Sequence, residues 1–144
     1  MLLGEFHCST DDNGWLPVPS EFLSELAEGA AVTRGIEPCL FVYPLSEWRS
    51  VAEKLRKRLP LTNRQARAFR RLIFSGATTC LMDRNGQIRL PERLRRYADI
   101  GEEVVVVGLG AHLELWSPGR WQEMRAAFEH DGVALAEDLR DFGI

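Results

Sequence analysis

An internal repeat is the feature that most constrains the fold of this 144-residue chain. The segment MDRNGQIRLP, from Met82, repeats the pattern of STDDNGWLPVP, from Ser9. The copies lie 72 residues apart, and one inserted residue extends the alignment to the later aromatic positions. The aligned pairs are Gly4 and Gly76, Cys8 and Cys80, Asp11 and Asp83, Asn13 and Asn85, Gly14 and Gly86, Pro19 and Pro91, Tyr43 and Trp116, and Trp48 and Trp121. Two copies are too few for a solenoid, so the repeat predicts two equivalent halves related by a pseudo-twofold axis.

Each half has the same predicted order of elements, which gives an α+β fold. A strand leads into an Asn-Gly turn, which is the strongest short-range signal for a hairpin. A second strand follows, and Pro19 or Pro91 then suits the first turn of a helix, in which Phe22, Leu23 and Leu26 have helical spacing in the first copy. Two more strands and a longer helix complete each half. The predicted strands cover residues 5–9, 16–18, 31–35 and 39–44, then 77–82, 88–90, 103–108 and 112–116, and the longer helices cover about 45–58 and 118–130.

The repeat also predicts how the chain is divided. The first half covers residues 1–58 and the second covers 76–130. Residues 59–75 form a connecting helix, which Thr62 or Asn63 can cap. Residues 131–144 form an acidic C-terminal helix or tail.

The composition is typical of a soluble globular protein, with 45% hydrophobic and 27% charged residues. The most apolar stretch, residues 103–110, is too short to span a bilayer, and the first residues do not resemble a signal peptide. We therefore expect a cytoplasmic protein without a membrane partner. The three cysteines form no CxxC pair, and the three histidines have no spacing typical of a triad or a metal site. We expect no metal, no cofactor, no small-molecule substrate and no enzymatic activity.

Charge is distributed unevenly along the chain. The net charge is −3, yet residues 1–33 contain no Lys or Arg, while residues 48–72 contain nine cations and one acid. A second basic cluster lies between residues 84 and 96. Such asymmetry suggests an electrostatic partner, although a basic helix is more often a solvated face.

Strand alternation places one residue after each turn on the outer face. If Leu16 and Val18 point inward, Trp15 points outward, and Gln87 takes the equivalent position in the second copy. Asp11 and Asp83 stand four residues earlier. Two interpretations of these aspartates are open: they cap their turns, or they orient a neighbouring side chain.

Several motifs together resemble the MraZ family of transcriptional regulators, within the AbrB-like swapped-hairpin group. They are the two Asp-x-x-Gly turns, VTRGIEPCLFVYPLSEW, FSGATTCLMD, LPERLRRYADIGEEVVVVG and LELWSPGRW, which span nearly the whole chain. The resemblance implies a pseudo-twofold double-psi-like β-barrel with additional helices and a ring-shaped homo-oligomer. It also implies a nucleoid-associated protein that binds double-stranded DNA at repeated boxes upstream of the division and cell-wall gene cluster.

The chain departs from this family at the residue expected to contact DNA. The family pattern is Asp-x-x-Gly-Arg in both copies, and here Trp15 and Gln87 replace the two arginines. Arg84 and Arg89 are plausible substitutes in the second copy. The candidate DNA-binding residues are Asp11, Asn13, Trp15, Asp83, Arg84, Asn85, Gln87 and Arg89. The alternative is a ring-forming structural or protein-interaction protein that has lost DNA binding, in which Trp15 contacts a protein partner.

Overall fold

A computed structural model describes residues 1–143 as eight strands and five α-helices. The strands are β1 (Leu2–Ser9), β2 (Trp15–Pro17), β3 (Ala30–Arg34), β4 (Leu40–Pro44), β5 (Thr78–Cys80), β6 (Gln87–Arg89), β7 (Glu103–Gly110) and β8 (Leu113–Trp116). The α-helices are α1 (Leu45–Arg58), α2 (Arg64–Gly76), α3 (Glu92–Tyr97), α4 (Pro118–His130) and α5 (Gly132–Asp138). Short 3-10 turns cover Ser20–Phe22 and Arg140–Phe142. The α+β class is confirmed, as are the bounds predicted for α1 and α4.

The strand register has the symmetry that the repeat predicts. Six strands form one antiparallel sheet in the order β1-β7-β8-β4-β3-β5, and β2 pairs with β6 in a separate two-stranded ribbon. The ribbon is centred on the pair Leu16 and Ile88, which are equivalent residues of the two halves. The pairing of β4 with β8 is likewise centred on the equivalent residues Phe41 and Glu114. A pseudo-twofold axis therefore relates the two halves.

The predicted local hairpins are corrected by this pairing. The Asn-Gly turns do form, because the Asp11 amide donates to the Trp15 carbonyl at 3.3 Å and the Asp83 amide donates to the Gln87 carbonyl at 2.9 Å. Beyond the turns, however, β1 pairs with β7 and β5 pairs with β3, so each first strand finds its partner in the other half. The turn residues determine the reversal of the chain, and the apolar faces determine which strands meet.

The first predicted helix is also corrected. Residues after Pro19 form only a 3-10 turn, Ser20–Phe22, whereas the equivalent residues after Pro91 form α3. In α3, Arg96 pairs with Glu92 at 2.7 Å across one helical turn. The first copy has Ser20 and Ser24 at those positions. Serine competes for backbone hydrogen bonds and supplies no such pair, which explains the difference.

The core has two parts, one on each face of the large sheet. The larger part lies under the β2–β6 ribbon and contains Leu16, Phe22 and Ile88, which are 1–2% exposed. The smaller part is aromatic and lies under α1 and α4. It repeats the symmetry, because the ring centroids of Tyr43 and Trp48 are 5.9 Å apart and those of Trp116 and Trp121 are 5.8 Å apart.

The connecting helix α2 is capped and docked by specific hydrogen bonds. Asn63, one of the two predicted caps, accepts from the Ala66 amide at 2.9 Å. The buried Thr33 hydroxyl of β3 donates to the Ile73 carbonyl at 2.6 Å.

Among residues 1–143, no helix is both long and apolar enough to cross a lipid bilayer.

Candidate nucleic-acid interface

Each turn of the ribbon is closed by its aspartate. One carboxylate oxygen of Asp11 accepts from the amides of Asn13 and Trp15 at 2.9 and 3.0 Å. Asp83 accepts from the amides two and four residues later at 2.9 and 2.8 Å. The interpretation that the aspartates cap their turns is therefore confirmed, because the described hydrogen bonds of both carboxylates go to backbone amides.

The two turns are also bound to each other across the pseudo-twofold axis. The Leu90 amide donates to the Gly14 carbonyl at 2.8 Å, and the Val18 amide donates to the Gly86 carbonyl at 3.0 Å. Both glycines have the positive φ that other residues adopt at a cost, +86° and +72°. The two tips are thus held side by side as one unit rather than as separate hairpins.

The ribbon presents four side chains on its outer face. Trp15 stands opposite Arg89, and Pro17 stands opposite Gln87. Leu16 lies between them and is buried. Pro17 and Arg89 are exposed, and Trp15 and Gln87 are partly exposed. The alternation predicted from the sequence is confirmed for Trp15 and Gln87.

The cations of this surface all come from the second copy, and two of them reach the first. The Arg89 guanidinium donates to the Asn13 carbonyl at 3.1 Å, so its charge lies beside the acidic tip that contains Asp11 and Asp12. Arg95 donates to the Leu90 carbonyl at 3.0 Å and lies close to Gly14. Arg95 belongs to the second basic cluster of the sequence but not to the candidate DNA-binding residues, because only the crossing of the halves brings α3 to the first turn.

Arg84 differs from Arg89 and Arg95 in its contacts. It lies in the second turn and is exposed, and it makes no hydrogen bond or ion pair with any of residues 1–143. Asn85, its neighbour, is also exposed. A guanidinium with no intramolecular partner can bind an anion without first breaking an internal contact.

The group with metal-ligand geometry lies away from the ribbon. Glu37, Cys39 and Glu114 bring one ligand atom each within 4.8 Å of one another. Burial raises the pKa of the Glu114 carboxyl, and burial together with both carboxylates raises the pKa of the Cys39 thiol. Exposed acidic groups at such distances are common without an ion, so this group alone does not identify a metal centre.

Comparison with known proteins assigns the chain to a family. The family model described as "MraZ protein, putative antitoxin-like" matches residues 1–72 and again residues 73–141. The chain belongs to the MraZ family. Proteins named "Transcriptional regulator MraZ" are similar to it over the full length of both chains: 46% identical in Moorella thermoacetica, 44% in Pediococcus pentosaceus and 42% in Alkaliphilus metalliredigens. The resemblance noted in the sequence is confirmed, and the two MraZ matches correspond to the two halves of the fold.

Proposed function

We propose that this MraZ-family chain is a transcriptional regulator that binds double-stranded DNA through the outer face of the β2–β6 ribbon. The observation that carries the proposal is that Arg89 and Gln87 lie on the outer face of the ribbon at the pseudo-twofold axis, with the exposed Arg84 in the adjoining turn. Cations supply most of the affinity of a protein for the phosphate backbone.

Each candidate residue has a distinct expected role. Arg84, which has no ion-pair partner among the described residues, is suited to a phosphate or to the O6 and N7 edge of guanine. Arg89 adds positive charge beside the first tip through its contact with the Asn13 carbonyl. Gln87 can form two hydrogen bonds with adenine in the major groove. Asp11, Asp83 and the turn asparagines hold the tips in shape, and Trp15 offers an apolar surface without charge.

The two replaced arginines predict weaker binding per subunit than the family pattern implies. Trp15 and Gln87 carry no charge, so long-range attraction to DNA depends on Arg84 and Arg89. A ring of identical subunits compensates, because several weak sites on one assembly bind direct repeats with avidity. This is consistent with recognition of repeated boxes upstream of the division and cell-wall gene cluster by a nucleoid-associated cytoplasmic protein.

We propose that the division predicted from the sequence applies to this function. In this proposal, residues 1–58 and 76–130 are the two AbrB-like halves of a double-psi-like barrel, residues 59–75 connect them, and residues 131–144 are an acidic C-terminal segment. The family match divides the chain near residue 72, within α2, so α2 is assigned to the boundary between the halves.

A second candidate function is a structural ring that binds a protein through the same surface. The observation that favours it is Trp15, a partly exposed aromatic residue at the tip of the first turn. Tryptophan is enriched among residues that dominate protein interfaces. In that case Trp15→Ala weakens partner binding or assembly and leaves DNA affinity unchanged.

The test is a salt titration of binding to the chain's natural upstream DNA, with a scrambled duplex for comparison. Arg84→Ala is the decisive variant because Arg84 has no internal contact to lose. Arg64→Ala, which removes an exposed cation from the start of α2, is the matched control. We expect Arg84→Ala to weaken binding and to reduce the slope of log affinity against log salt by about 0.9. Equal behaviour of Arg84→Ala, Arg64→Ala and the parent chain would refute the proposed surface.

A further inference from the structure

The C-terminal segment, residues 131–143, leaves its apolar side chains in water. Every residue of this segment is exposed, including the whole of α5. Its large apolar residues are Val133, Leu135, Leu139 and Phe142, exposed by 76%, 43%, 44% and 76%. Leu135, Leu139 and Phe142 follow one another at intervals of four and three residues, so they share a face of a helical segment. Clustered exposed apolar residues indicate an interaction surface.

The same segment is acidic. It contains Asp131, Glu137, Asp138 and Asp141 against a single cation, Arg140. Its net charge is therefore −3 from five charged side chains. A partner that covers the apolar face must also present positive charge.

Helix α1 presents the complementary surface. It has 14 residues and none of them is buried, although one side carries apolar residues at helical intervals. This side is only partly covered, and its residues are Trp48, Val51, Ala52 and Leu55, continued by Leu59 after the helix. Exposed cations surround it: Arg49, Lys54, Arg56, Lys57 and Arg58 against the acids Glu47 and Glu53.

We propose that the C-terminal segment of one copy docks on α1 of a second copy. The apolar face of residues 133–142 covers the partly open side of α1, and the acids of the segment lie against the cations of the helix. The contact is not made within one chain, because the whole segment is exposed in the structure of the single chain. Two different surfaces are used, so each copy can bind one neighbour on each side, and the contact repeats until a ring closes or a filament grows.

This inference gives the proposed ring its contact surfaces, and it rests on the proposed self-assembly but not on DNA binding. Because α1 belongs to the first half and the segment follows the second half, each copy presents both partners of the contact. A chain with an altered α1 surface still has an intact C-terminal segment, and the reverse also holds. The two sets of substitutions can therefore be tested separately and together in one chain.

The experiment is a charge-swap series on the full-length chain, with mass measured by light scattering at micromolar concentration. One variant carries Lys54→Glu and Arg58→Glu on α1. The other carries Glu137→Lys and Asp141→Lys on the C-terminal segment. These four side chains are exposed and make no described ion pair, so circular dichroism should show unchanged folding. We expect each variant to lose the high-mass species, and the chain with all four changes to regain it.

A control reverses two acids elsewhere. Glu21→Lys with Glu28→Lys changes the net charge as the tail variant does, on the ribbon side of the molecule, and should leave the mass unchanged. Leu139→Ser with Phe142→Ser tests the apolar part of the contact, and we expect it to dissociate the assembly with no loss of helix.

The outcomes separate this inference from the proposed function. A monomeric parent chain, unchanged mass in both swap variants, or failure of the combined variant to reassemble would each overturn the docking. Weaker DNA binding of the α1 variant at unchanged mass would mean that α1 contacts DNA instead. Restored mass in the combined variant together with a failed Arg84→Ala test would leave the docking intact and reject the DNA surface.

Discussion

The substitution of alanine for Gly14 tests the way in which the two turns are held together. Both ribbon glycines have positive φ, so Gly14→Ala and Gly86→Ala pay the same backbone cost of about 1–2 kcal/mol. Their surroundings differ. A Cβ on Gly14 would collide with the Leu90 carbonyl oxygen and lie 2.8 Å from the Arg95 guanidinium. The nearest atom to a Cβ on Gly86 is a Leu23 methyl carbon at 3.0 Å, which can move.

The additional cost at Gly14 follows from the bonds that must give way. To make room for the new methyl group, Leu90 would have to move, and this would strain two hydrogen bonds. The Leu90 amide donates to the Gly14 carbonyl at 2.8 Å, and the Leu90 carbonyl accepts from Arg95 at 3.0 Å. Each such bond contributes about 1 kcal/mol net. We therefore expect Gly14→Ala to cost about 3–4 kcal/mol in free energy of unfolding, and Gly86→Ala to cost about 1–2 kcal/mol.

The assay is urea unfolding of both variants at one fixed protein concentration, since assembly makes stability depend on concentration. The slope of free energy against urea should be unchanged, so that the midpoint alone reports the loss. Equal losses at the two glycines, or a larger loss at Gly86, would refute the close crossing of the tips described above.

Two further predictions concern single side chains. Asp11→Ala and Asp83→Ala should destabilise the chain to a similar extent, by about 1–3 kcal/mol, because each aspartate accepts two backbone amides, and chemical unfolding will show whether the two losses match. Burial raises the pKa of the Glu114 carboxyl, so this group binds its proton more tightly in the folded chain than in the unfolded chain. The protonated group therefore favours folding below its ordinary pKa of 4.5, and this contribution to stability is lost as pH rises through the raised pKa of the folded state. Glu114→Gln, which keeps an acceptor for the Trp116 indole, should therefore raise the melting temperature at neutral pH, and this gain should vanish in acid.

The repeat predicted most of the architecture, because equivalent residues in two copies must occupy equivalent places. The helices after Pro44 and Ser117 begin and end where the spacing predicts. The strand partners were not predictable in the same way. An Asn-Gly turn is a local signal, and it says nothing about which strand will cover the apolar face of β1.

The sequence predicted which side chains of the candidate site lie on the outer face, but not the contacts between the two halves. Alternation alone places Trp15 and Gln87 outward, and the register confirms it. The approach of Arg89 to the Asn13 carbonyl joins residues 76 positions apart, and no local pattern encodes it. The acidic first tip, which the sequence shows without cations, is in fact adjacent to cations from the other half.

We propose that the outer face of the ribbon binds DNA, and restoring the two missing arginines tests this most directly. Trp15→Arg combined with Gln87→Arg is measured against the parent chain in a salt titration with the natural upstream DNA. A double variant of exposed α4 residues, Gln122→Arg with Ala126→Arg, adds the same charge elsewhere. We predict tighter binding for the ribbon variant only, with a slope of log affinity against log salt steeper by about 0.9 for each new phosphate contact. Unchanged affinity and slope, or the same gain in the α4 variant, would contradict the placement of these tips on DNA.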